Sequence, residues 1–377
     1  MALPLSSLTL FPATPAQVYE SRKRSFVQWG RGVSLEAYLR RDARMDNHEV
    51  ARDGRLTTWY RREGLLANRQ EGKNIPQKVF GYGIASVFTP TEHRKKGYAR
   101  HMMRLLHWIL APKLKLPVGT FPPEWGAPPE RPGHIFEAAF SVLYSDVGAD
   151  FYAQCGPYGE SNGGWILTEP TATTWSLPTI FENETLLAAK ETGQLAWKWL
   201  GGSSTNEIWD ADAKLFADEM KTAATGKPIE VTFLPQKGVA GFQYHRLQYF
   251  WEKLEPIPKF WSICAQSGSG EDAVDPTTFA SWTLDIRPPD ENALIITRLR
   301  ARPEHFLELL AQILEYARQY KVDRVEVWGL PRELRELATS TGGKTFARDD
   351  HLSSFKSYLK EKPEDIAWIH NEKFCWC

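Results

Sequence analysis

At 377 residues, with 46 basic and 46 acidic side chains, the chain has no formal net charge, which argues against nucleic acid or a membrane surface as a partner. Its 42% hydrophobic and 24% charged content is that of a globular protein long enough for two cores. No apolar run approaches the ~20 residues of a bilayer span, and four cysteines are too few for a disulfide scaffold, so a cytoplasmic protein with free thiols and no metal is expected.

In chain order, Leu5, Leu8 and Leu10 alternate as in a strand, Thr14-Pro15 opens a helix through Phe26, and a second helix is expected over Ser34 to Arg44. Glu49 to Thr58 and Val79 to Phe88 read as neighbouring strands joined by an exposed polar loop, Arg61 to Gln77. Thr89-Pro90 closes the second strand, because proline cannot continue a sheet ladder. Ala99, Met102, Met103, Leu106, Ile109 and Leu110 then recur at helical spacing and mark one buried face of a helix that Pro112 ends.

Between that strand and helix lies Arg94-Lys95-Lys96-Gly97-Tyr98-Ala99. A helix start leaves about four amides without internal partners and carries partial positive charge, while Gly97 and Ala99 let a ligand approach the main chain. The turn suits a pyrophosphate. A solvated basic loop is the plainer use of the same residues.

Pro112 to Pro132 carries seven prolines and reads as an insertion in which Trp125 is either a lid or an inert surface residue. Phe140 to Gly156 reads as a strand, a turn and a short helix ending at glycine. A domain boundary is expected at residue 178, giving units 1–178 and 179–377. Beyond it Ile180 to Leu200 and Ala211 to Thr222 look helical, and short strands are expected around Phe260 to Ala265, Phe279 to Ile286 and Leu294 to Leu299. Pro303 to Tyr320 is strongly amphipathic, Val322 to Trp328 is a strand, and Arg332 to Thr341 a helix before extended chain to Cys377. This order of elements repeats that of the first half.

Arg94, Gly97 and Ala99 match the acyl-CoA signature Gln/Arg-x-x-Gly-x-Gly/Ala of the GCN5-related N-acetyltransferase (GNAT) superfamily. Phe151, Tyr152 and Gly156 match the Phe-Tyr-x-x-x-Gly that ends its next block. The chain therefore resembles that superfamily. The runs Ile84 to Pro90, Lys96 to Ala99 and Leu143 to Gly148 are similar to the fungal lysine N-acetyltransferases. The resemblance implies an α/β GNAT fold, a mixed central sheet flanked by helices, with a second, degenerate GNAT-like domain shaping the acceptor pocket. In the second copy Leu299-Arg300-Ala301-Arg302-Pro303 has no glycine, so coenzyme A is expected in the first alone.

What the resemblance implies for chemistry is direct transfer from acetyl-CoA to a primary amine, either lysine or a similar small molecule, with protein lysines and polyamines left open. Val87 and Phe88 would lie on the bulged strand that pairs with the pantetheine arm. Arg94, Lys95, Lys96, Gly97, Tyr98 and Ala99 would meet the pyrophosphate. Ser145 stands where many relatives place an asparagine touching the cofactor. Tyr152 falls on the tyrosine that protonates the departing thiolate, and a phenol of pKa near 10 keeps its proton at neutral pH. A packed tyrosine is the alternative.

The base is not identified: Glu137, His134, Asp146 and bound water are candidates, as is the terminal carboxylate at Cys377, which reaches the site in some two-copy relatives. His93 and His101 read as surface residues, and the Trp29 to Val33 turn as either an acceptor wall or core. Nine of the 15 tryptophans lie from Trp197 onward and are expected to help wall the acceptor pocket. A non-catalytic acyl-CoA-binding scaffold or sensor is the rival from another class.

Overall fold

In a computed structural model, which describes residues 4–376 apart from 31, 53–54, 57–58, 71–72, 181–182, 192, 223–225, 267–273 and 287–290, the strands form two seven-stranded sheets. The first runs in the order Ile366–Trp368, Ile229–Phe233, Trp59–Gln70, Lys73–Ile84, Phe140–Ser145, Leu352–Ser357, Ile166–Leu167. The second runs Lys344–Ala347, Thr171–Ser176, Arg324–Trp328, Ala293–Arg300, Val274–Asp285, Ser262–Gln266, Trp197–Leu200.

Each sheet is built on the same unit. An antiparallel hairpin (Trp59–Gln70 with Lys73–Ile84; Val274–Asp285 with Ala293–Arg300) leads through a helix (Tyr98–Leu110; Pro303–Gln319) to a parallel strand (Phe140–Ser145; Arg324–Trp328). The helices lie where periodicity put them, because their apolar stripes have the sheets to cover. Met103, Leu106 and Leu110 pack with Tyr82, Ile84 and Leu143, and Phe306, Leu309, Leu310, Ile313 and Leu314 with Leu294, Ile296, Val325 and Val327. Each such side chain buried contributes roughly 1.5–3 kcal/mol.

The two sheets exchange strands. Thr171–Ser176 pairs antiparallel with Arg324–Trp328, while Leu352–Ser357 pairs antiparallel with Phe140–Ser145, so each copy covers the edge that the other leaves open. Ile229–Phe233 and Ile366–Trp368 also extend the first sheet. The cut expected at residue 178 is therefore not a cut between the sheets. One buried cluster draws on both, with Phe233 and Phe140 from the first, Cys264 and Phe279 from the second, and Phe216 and Phe374 between them.

Several elements differ from expectation. Glu49 to Arg52 forms turns held by hydrogen bonds back to His48, and the strand starts only at Trp59; residues 53–54 and 57–58 of the expected strand lie outside the described residues. Arg61 to Gln77, expected as a loop, is most of the hairpin itself, with Arg62 opposite Gly81. Its polar side chains masked the strand, yet Arg62 is only 2% exposed because the carbonyls of Cys375 and Trp376 accept from its guanidinium at 2.5 and 3.3 Å. Leu5 to Leu10 is a short 3-10 turn and coil rather than a strand. Trp197–Leu200 is a strand within a stretch expected to be helical, and the helix Gly241–Trp251 was not legible. Trp125 is no lid: it is buried among Phe121, His101 and the Tyr98–Leu110 helix, with the Arg104 guanidinium 5.2 Å from its ring.

Candidate functional site

The parallel rungs Gly81↔Phe140 to Ile84↔Leu143 are the last that join the two central strands of the first sheet. Beyond them the chain turns at Ser86, which holds φ 57°, a left-handed conformation costing a residue with a side chain roughly 1–2 kcal/mol. The strands part there, and the amides of Val87 and Phe88 find no backbone acceptor among the described residues. Val87 packs on the helix cluster and the Phe88 ring meets Trp29 edge to face at 5.7 Å, so Trp29 stands against the parted strand. This opening is where a thin, hydrogen-bonding ligand arm can take the place of a strand.

Gly97 caps the following helix with φ 83° and offers no side chain to the first-turn amides. A β-carbon added there would be 3.1 Å from Leu5 Cδ1, so the turn is shaped for glycine by both conformation and space. Tyr98 and Ala99 begin the helix, and their amides point out of its amino end without intrahelical partners. Two of the three basic side chains expected to meet phosphate brace their own loop instead: Arg94 Nε donates to the Thr89 carbonyl at 3.0 Å and Lys96 Nζ to that of Glu92 at 2.7 Å. Lys95 is exposed at φ 61°. The fit to a pyrophosphate thus rests on main-chain donors, which a basic side-chain pattern does not reveal.

His93 is exposed, but His101 is buried, contrary to expectation, and its ring reaches the Leu8 carbonyl at 3.4 Å. Burial lowers its pKa. The Ser145 hydroxyl, expected to touch the cofactor, closes its own turn: it donates to the Gly148 carbonyl at 2.6 Å and accepts from the Val147 amide at 3.2 Å.

Tyr152 sits on the short helix Asp150–Ala153, packed edge to face on Phe151 at 4.9 Å, and its hydroxyl makes no hydrogen bond among the described residues. Burial, with Cys155 and Asp146 adding to it, pushes the phenol above its ordinary pKa, so it is protonated throughout the neutral range. Asp146 accepts from the His351 amide at 3.0 Å and pairs with His351 Nδ1 at 2.8 Å. Burial works against its charge, but these His351 contacts hold its pKa below the ordinary value. Glu137 is committed elsewhere, to the Lys113 amide and Arg131, and His134 is an exposed loop residue. Cys377 lies outside the described residues. Among the described residues no group of His, Cys, Asp and Glu could hold a metal ion, and no helix is long and apolar enough to cross a membrane.

Sequence inspection missed a group beside Asp146. Trp328 and Trp376 flank the Lys373 ammonium at 4.0 and 4.3 Å from their ring centroids, and the His351 ring lies 6.1 and 5.7 Å from the same two indoles. Tyr144, next to the last rung of the parallel pair, faces Trp328 at 6.0 Å. The tail bearing Lys373 is pinned by Glu372, which accepts from Arg298 and from the Leu299 amide; Arg298 is in turn paired with Asp212 at 2.7 Å. Burial works against the Asp212 carboxylate, but Arg298 and Arg300 outweigh it and hold its pKa down. No local signal linked residues so far apart in the chain.

A parallel pair that parts before a glycine-capped helix, with a tyrosine on the short helix after its second strand, is the arrangement of an N-acyltransferase fold. Residues 183–377, just over half of the chain, match the family model described as the LYC1 GNAT-like C-terminal domain. The chain belongs to that family of the GNAT superfamily and is an N-acetyltransferase with a second, GNAT-like unit. A lysine acetyltransferase of Yarrowia lipolytica (strain CLIB 122 / E 150) is 21% identical, over 97% of this chain and 98% of that one. A conserved protein of unknown function from Enterococcus faecalis V583, described as "Probable N-Acyltransferase", shares the fold at TM-score 0.50 and 11% identity, over 92% of this chain and 71% of that one.

Proposed function

We propose that the chain transfers the acetyl group of acetyl-CoA to the side-chain amine of lysine or a closely similar small amine, in a ternary complex, from a donor site in the first copy. The observation that carries this is the opening after Ile84 and Leu143, with the Gly97 helix start beside it. Val87 and Phe88 would hold the pantetheine arm through their main chain, and the Gly97 to Ala99 amides the pyrophosphate. The similarity to a lysine acetyltransferase along nearly the whole chain supports the acceptor class.

Acetyl-CoA supplies an activated thioester carbonyl; a C–N bond forms, the C–S bond breaks, and the amine gives up a proton. In this reading the Val87 amide polarises the carbonyl, and Tyr152, protonated in the neutral range, donates its O–H proton to the departing sulfur as charge builds there. Asp146, ionised, oriented by His351 and directly following the central strand Phe140–Ser145, is the preferred route for the amine's proton. The second copy, through its tail and the strand Leu352–Ser357, would wall the acceptor side.

The test is thiol release from acetyl-CoA across lysine, polyamines and a lysine-bearing peptide, with titration of acetyl-CoA alongside. Release with free lysine at the highest kcat/KM is expected. Donor binding without release on any amine would leave a scaffold or sensor.

A further inference from the structure

Residues 4–10 run across the start of the helix Tyr98–Leu110. Leu5 Cδ1 lies 3.1 Å from where a β-carbon on Gly97 would stand, so the isobutyl group is within van der Waals reach of the glycine cap. One turn further along the helix the Leu8 carbonyl meets His101 Nε2 at 3.4 Å, and Leu10 packs on the apolar cluster beneath. Gly97 itself is exposed, so the segment flanks the turn and does not bury it.

The segment has a fixed seat but is lightly held. Leu5–Ser7 is a 3-10 turn closed on itself: the Ser7 amide and hydroxyl both donate to the Pro4 carbonyl, at 3.0 and 2.7 Å, and the Leu8 amide donates to that of Leu5 at 3.0 Å. The proline-rich insertion is cut to fit behind it. Gly126, at φ 90°, lies so close to Ser6 that a β-carbon there would stand 1.9 Å from the Ser6 carbonyl oxygen. Yet among the described residues only two hydrogen bonds tie the segment to the rest of the molecule, His101 with the Leu8 carbonyl and Thr9 Oγ1 to the Ala127 carbonyl, both at 3.4 Å. Both are longer than an ordinary hydrogen bond. Ser6, Ser7 and Thr9 face outward. Chain held in this way opens locally at little cost.

We propose that residues 4–10 are part of the donor site: a strap that lifts to admit acetyl-CoA and settles against the bound nucleotide, with Leu5 in contact with it. This rests on the reading that the Gly97 to Ala99 amides hold the pyrophosphate. A cofactor arm that follows the parted strand from Val87 to those amides carries its remaining part, the 3′-phosphoadenosine, past the helix start, where Leu5 stands. The strap also supplies something the turn lacks. A pyrophosphate held by main-chain amides at an exposed turn competes with water for each of them, and an apolar side chain laid beside it lowers the local dielectric and strengthens those bonds. Closure therefore acts on the rate at which the donor leaves, while opening governs the rate at which it enters.

The test uses the full chain with acetyl-CoA, followed by hydrogen exchange and stopped-flow dissociation. Acetyl-CoA should slow amide exchange over residues 5–10 roughly tenfold, together with that over residues 97–99. Leu5→Ser should raise koff roughly 3- to 10-fold, and so should His101→Phe, which keeps a ring beside Trp125 and removes the bond to Leu8. Gly126→Val, whose added side chain meets Ser6 first, displaces the strap from behind and should raise koff at least as much. The exchange comparison needs no variant, so it decides the matter even where a substitution impairs folding. Protection over 97–99 without protection over 5–10 overturns the strap and leaves the donor site standing. Parent-like koff in folded Leu5→Ser and Gly126→Val chains does the same. Acetyl-CoA that protects neither stretch overturns the placement of the pyrophosphate, and the strap with it.

Discussion

Replacing Gly97 by valine perturbs the proposed donor site at a residue constrained by both conformation and space. At φ 83° a β-branched residue costs roughly 1–2 kcal/mol or more, and its β-carbon would start 3.1 Å from Leu5 Cδ1 before two methyls are added. The chain escapes by moving φ out of the left-handed region, which swings the amides of Tyr98 and Ala99 away from a shared anion. Two hydrogen bonds to a charged group, at roughly 1.5–3 kcal/mol each, are lost, about 3–6 kcal/mol or some 10²- to 10⁴-fold in affinity. Calorimetric titration with acetyl-CoA reads the affinity, and a thermal melt of the ligand-free variant separates lost binding from lost folding. Gly97→Ala, with less bulk at the same φ, should fall between parent and Val. A folded Gly97→Val chain that binds within threefold of the parent would refute the placement of the pyrophosphate and the argument from conformation behind it.

Tyr152→Phe should lower turnover roughly 10²-fold with donor affinity unchanged, read by single-turnover kinetics; an unaltered chemical step removes the phenol from the reaction. Asp212→Asn leaves the buried Arg298 and Arg300 short of a carboxylate and should cost about 3–5 kcal/mol in urea unfolding, with a loss under about 1 kcal/mol counting against the network as the anchor of the tail. Lys373→Met should stabilise the protein: the folded pKa of about 7 lies below the unfolded 10.5, so the cost of burying the cation is full below pH 7 and fades by pH 10.5. The parent's stability should therefore climb over that interval by up to ~5 kcal/mol relative to the variant, measured by denaturant unfolding at several pH values. Parallel curves for the two chains would refute it.

Much of the donor side was legible because it is local. A strand closed by Pro90, a glycine-bearing turn and a helix with apolar residues at 3.6-residue spacing all lie within residues 79–110, and chain-local patterns of conformation and burial suffice to read them. The same holds for the helix Pro303–Gln319 and for the repeat of element order between the halves. Misreadings came where polarity on a strand had a distant partner, as for Arg62 with the Cys375 and Trp376 carbonyls, and where a histidine beside the turn, His101, was covered by the amino-terminal segment.

The cluster around Lys373 is of the other kind. Tyr144, Trp328, Arg348, His351, Lys373 and Trp376 meet because Leu352–Ser357 crosses into the first sheet and Thr171–Ser176 into the second, and because Glu372 ties the tail to Arg298. The pattern along the sequence determined that a glycine-capped helix start and two copies of one unit exist, since spacing, glycine and proline act within a few residues of themselves. Only the tertiary structure decided which side chains meet around Lys373 and which buried charges pair, because strand exchange and ion pairing join residues hundreds of positions apart whose identities carry no mark of one another.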